Sequence, residues 1–107
     1  MGRDGLMQMT KIEVVVRGSD ATQVRELLMA NGAGGYTTVS NVSGLGPHGY
    51  HQGRLLFNDE AVLDLLIAVV PDEKADELIT GLRVFFSERP GVMFVSDTYV
   101  SRPEYFA

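Results

Sequence analysis

The residues best able to do chemistry crowd into one short stretch. His48 and His51 are the only histidines of the chain and stand three apart. Imidazoles at that spacing share a metal ion when a helix carries them. Here they fall within Gly44 to Gly53, which holds four glycines and a proline in ten residues, so a loop is expected. Only Asp59 or Glu60, folding back, could add a third ligand. No metal is therefore expected, with His48 and His51 as the candidates if one binds. Gly44-Leu45-Gly46-Pro47-His48-Gly49 matches the G-x-G-x-x-G pattern of dinucleotide folds. That fingerprint needs a helix opening at its end, whereas Tyr50-His51-Gln52-Gly53 follows and Pro47 has no N–H to offer a phosphate. Glycine-rich backbone near a phosphate remains open without that fold. Arg54, Arg89 and Arg102 flank turns or strand ends, where a guanidinium can meet an anion. Asp59-Glu60 reads as a turn, and no Ser-His-Asp order with a nucleophile elbow occurs. The residues favour a ligand-binding protein over an enzyme. Two alternatives stay open: a metal-linked module using His48 and His51, and a small enzyme using His51 with Asp59 or Glu60.

These residues must be held by a small scaffold. A chain of 107 residues with 45% hydrophobic and 21% charged residues is one globular domain. No apolar run approaches the roughly 18–20 residues of a membrane span. The longest, Leu65 to Val70, has the length of a strand. The first residues lack the apolar stretch of a signal peptide. The absence of cysteine excludes disulfides and thiolate sites, and fits a cytoplasmic location. A net charge of −5 with no basic stripe disfavours nucleic acid as a partner.

Residues 1–10 read as a flexible lead-in to a single domain over 11–107. Lys11 to Arg17 alternates, with Ile12, Val14 and Val16 on one face, and predicts a first strand. Asp20 suits an N-cap with Gln23 reaching back, before a helix bearing Val24, Leu27 and Leu28 and ended by Gly32. Tyr36 to Val42 predicts a second strand, residues 44–61 a long loop, and Val62 to Val70 a third strand. Pro71-Asp72 opens a second helix with Ala75, Leu78, Ile79, Leu82, Phe85 and Phe86 at helical spacing. Val92 to Val100 predicts a fourth strand. The order β-α-β-β-α-β implies an α+β, ferredoxin-like fold, an antiparallel sheet with two helices on one face. In such a fold one sheet face meets water, so strands should alternate. Residues 65–70 are apolar on both faces, and Val15 opposes Ile12 and Val14. A copy of the same chain is the expected cover for the outer face.

Three segments resemble the PII signalling proteins. Lys11-Ile12-Glu13, Arg17 and Val24-Arg25-Glu26 with Leu28 fall at the spacing of that family's first strand and helix. Thr38-Val39-Ser40, Val42, Gly44 and Gly46 are similar to its second strand and entry to the T-loop. Val69-Val70-Pro71-Asp72 is similar to its third strand and second helix start. The family's phosphate-cradling Gly-Asp-Gly-Lys loop is replaced by Glu88-Arg89-Pro90-Gly91-Val92, and Leu63 stands at the lysine that serves 2-oxoglutarate. Arg102 matches the family's arginines after the fourth strand. The pattern most resembles divergent PII-like proteins encoded beside carboxysomes or inorganic-carbon transporters.

The resemblance implies a homotrimer that binds ADP or AMP between subunits, together with bicarbonate. It also implies signalling to a protein target such as a transporter or carboxysome component. Gly44, Gly46, Val69, Arg89 and Arg102 are then the expected nucleotide residues, and His48 and Arg54 the expected anion residues. The related metal-tolerance proteins of the CutA type are the corresponding metal-linked alternative.

Overall fold

The computed structural model describes residues 4–43 and 62–106. The first strand, β1 (Met7–Arg17), starts four residues earlier than the sequence predicts, so residues 7–10 of the expected lead-in are strand. They are held by pairing with β4 (Val92–Val100), Met7 opposite Val100 and Thr10 opposite Asp97, a contact from the far end of the chain. A 3-10 turn at Gly18–Asp20 leads into α1 (Ala21–Ala30). Asp20 stands at the N-cap position but makes no capping bond. Its carboxylate instead accepts from Arg17 Nε and Nη2, at 3.2 and 3.1 Å, which corrects the expected capping box. Gly32, at φ +94°, takes the left-handed turn after α1, and Ala33 N–H donates to the Leu28 carbonyl at 3.0 Å.

The remaining elements follow the sequence closely: β2 (Thr37–Val42), β3 (Leu63–Val70) and α2 (Asp72–Phe86). Asp72 and Glu73 occupy the first turn of α2 and Arg83 the last, each charge complementing the helix dipole. The strands form one antiparallel sheet in the order β2-β3-β1-β4. With the helices this is the ferredoxin-like fold expected.

Strand periodicity explains the core. Ile12, Val14 and Val16 of β1 and Leu66, Ala68 and Val70 of β3 point to the helices and are buried. They meet Val24 and Leu28 of α1 and Ala75, Leu78, Leu82 and Phe85 of α2. Leu27, Ile79 and Phe86 pack half-buried at its margin. The opposite sheet face behaves differently. Leu65, Ile67 and Val69 are only half-buried, and Val39 and Phe94 are exposed.

Candidate functional site

The sheet has two ends, and the candidate residues divide between them. At one end β1 closes with Arg17, whose fork onto the buried Asp20 braces the turn. Within that turn the Gly18 N–H donates to the Val62 carbonyl at 2.7 Å. Val42 pairs with Leu63, past a bulge where Asn41 adopts φ +61°. Asparagine tolerates that left-handed conformation better than most residues. The two roots of segment 44–61 therefore lie on adjacent strands, Val42 paired with Leu63 and Val62 bonded to the Arg17 turn. Arg89 lies at this end too, just before β4, with its guanidinium carbon 4.5 Å over the Phe85 ring. Gly91, at φ +149°, brings the chain into β4 so tightly that an added Cβ would lie 2.5 Å from Phe86 Cε1.

Arg102 follows the other end of β4. Its Nη1 donates to the Tyr105 hydroxyl at 3.1 Å, with the guanidinium carbon 5.7 Å from the centre of that ring. Both side chains are exposed, on a 3-10 turn begun by Pro103. The α2 N-terminus is anchored towards this end of the sheet. Thr10 Oγ1 donates to Asp72 Oδ1 at 2.7 Å, and Gln8 Nε2 approaches Asp72 Oδ2 at 3.5 Å. Val69 lies one residue before the end of β3, half-buried on the outer face opposite Lys11.

Distance decides what these residues can do together. The span of β4 from Val92 to Val100 is roughly 25 Å at about 3.3 Å per residue. Arg89 and Arg102 therefore cannot meet one small anion within a single chain. Gly44, Gly46, His48, His51, Arg54, Asp59 and Glu60 lie outside the described residues. Among the described residues no group of three histidine, aspartate or glutamate side chains is placed to hold a metal ion. Sequence reasoning missed the Arg17–Asp20 fork and the Arg102–Tyr105 pair. Both are spaced three apart, a signal present in the sequence but shared by many solvated pairs.

The model of the family described as nitrogen regulatory protein P-II matches residues 9–105. The chain belongs to this family. It is a PII-like regulatory protein, as the resemblance of its segments implies. Among solved structures, the PII-like protein CPII of Thiomonas intermedia K12, bound to ADP, AMP and acetate, is 37% identical with a TM-score of 0.82. That match covers 94% of this chain and 96% of the other. CPII bound to ADP and bicarbonate is also 37% identical, with a TM-score of 0.79 over 95% of this chain and 97% of the other. A protein of Thermus thermophilus, 20% identical, superposes with a TM-score of 0.77 over all of both chains and shows the fold alone. No curated protein sequence matches significantly. No helix among the described residues of this P-II chain is long and apolar enough to cross a membrane.

Proposed function

We propose that this P-II family chain is a cytoplasmic, trimeric regulator that binds ADP or AMP, with bicarbonate, between subunits. In this reading it reports to a protein target in inorganic-carbon uptake or carboxysome function. The observation that carries it is 37% identity, over nearly the whole chain, to a protein solved with ADP, AMP and bicarbonate. The backbone at Gly44 and Gly46, with Arg89, serves the nucleotide from one copy, and Val69 contacts it from the outer face of β3. Arg102 serves its phosphate from the next, because one chain holds Arg89 and Arg102 at opposite ends of β4. His48 and Arg54 serve the bicarbonate. Nucleotide can shift segment 44–61 between states only by touching it differently in each. The pinned roots at Val42 and Val62 would pass that preference to the sheet.

A ligand that binds only the folded protein stabilises it by about 2.7 kcal/mol at a hundredfold excess over Kd. Thermal denaturation with ADP or AMP should therefore give a midpoint several degrees higher than without. A midpoint unmoved by millimolar ADP or AMP, with and without bicarbonate, would overturn the reading.

A further inference from the structure

The outer sheet face can be mapped row by row from the strand register. Thr37, Ile67, Glu13 and Phe94 form one row across the four strands. Val39, Leu65, Val15 and Val92 form the next. Val69, Lys11 and Ser96 lie on the other side of the first. Apart from two hydroxyls, these positions are apolar except for Lys11 and Glu13. Those two are neighbours on β1, a central strand of the sheet, so their charges sit in the middle of the apolar patch. They lie 3.9 Å apart, with side chains 35% and 30% exposed. That contact is loose, and it leaves an ammonium with further donors and a carboxylate with further acceptors.

Covering such a face with an apolar partner would strand both charges, which is far costlier than leaving them in water. A second copy of the same face brings a matching carboxylate for the lysine and a matching ammonium for the glutamate. The face is therefore complementary in charge to itself. We infer that Lys11 of one subunit pairs with Glu13 of the next, and that this exchange sets how the apolar faces register in the oligomer. The inference rests on the trimeric reading above and goes beyond it by assigning the residues that select the mating geometry. In a closed ring every Lys11 meets a neighbour's Glu13, so charges of opposite sign alternate around the axis.

The test mixes wild-type chains with the swapped variant Lys11→Glu, Glu13→Lys, refolds them together and counts species by native mass spectrometry. Each chain alone should form trimers, because the swap restores every pair. Random mixing of equal amounts would make about three quarters of the trimers mixed, whereas two like-charge contacts in each mixed ring should lower that share at least roughly tenfold. Mixing at the random share would overturn the inference while leaving the trimer intact. A wild-type chain that stays monomeric, its face covered by its own segment 44–61 or by solvent, would overturn the trimeric reading and this one with it. Should circular dichroism show the swapped chain unfolded, the neutral variant Lys11→Gln, Glu13→Gln takes its place. It leaves unpaired charges in mixed rings and should also be under-represented; random mixing there overturns the inference equally.

Discussion

Arg102→Ala is the substitution that bears most directly on the nucleotide site, and the structure sets its size. The guanidinium already spends Nη1 on the Tyr105 hydroxyl, at 3.1 Å. Among the described residues nothing else bonds it, so Nε and Nη2 keep the forked geometry that suits a phosphate. Binding therefore need not break the Tyr105 contact, and removing the arginine forfeits the whole charge-assisted interaction. Such bonds are worth about 1.5–3 kcal/mol, which converts to roughly ten- to hundredfold weaker ADP binding. Arg102→Lys should recover only part, since an ammonium cannot make the fork. Tyr105→Phe keeps the ring under the guanidinium and removes only the acceptor. It should cost about 0.5–1 kcal/mol of ordering, or roughly two- to fivefold. Isothermal titration calorimetry with ADP on the variants, each first checked to be trimeric, measures all of these. Affinity within about twofold of wild type for Arg102→Ala would refute the reasoning. Equal losses for Tyr105→Phe and Arg102→Ala would instead identify the hydroxyl as the ligand.

Three further outcomes test how the scaffold holds the site, each by urea denaturation at fixed protein concentration. Gly91→Ala should destabilise by about 2–4 kcal/mol, from backbone strain at φ +149° and a Cβ forced against the Phe86 ring and, at 3.2 Å, the Val15 carbonyl. Gly35→Ala, where an added Cβ meets nothing within 4 Å, should be neutral or slightly stabilising. Thr10→Val should cost about 1–2 kcal/mol by removing the hydroxyl that donates to Asp72, and in an Asp72→Ala background nearly nothing.

The fold was legible wherever a local period decided it. Ile12, Val14 and Val16 alternate, and Ala75, Leu78, Leu82 and Phe85 recur at helical spacing; all seven are buried where those patterns put them. Misreadings arose where a distant or competing partner decided the outcome. Residues 7–10 have weak alternation of their own and become strand because β4 pairs with them. Asp20 has the type and position of a cap, but the guanidinium of Arg17 outcompetes the backbone N–H groups for its carboxylate. The candidate site was legible only in fragments. Spacing marked Arg89 and Arg102 as cations on either side of the fourth strand, and the register of β4 fixes which neighbouring elements each one lies beside. The apolar run at 65–70 pointed to a covered outer face; the register adds that Lys11 and Glu13 sit at its centre.

The measurement that bears most directly on the regulatory reading is calorimetric titration of the wild-type protein with ADP and with AMP, each with and without bicarbonate, on material whose mass is fixed by light scattering. The expected result is a trimer that takes up about one adenine nucleotide per chain, at the interfaces of a closed ring, with an affinity that bicarbonate alters. A protein that gives no heat with either nucleotide at millimolar concentration, or that binds it as a monomer, would contradict it.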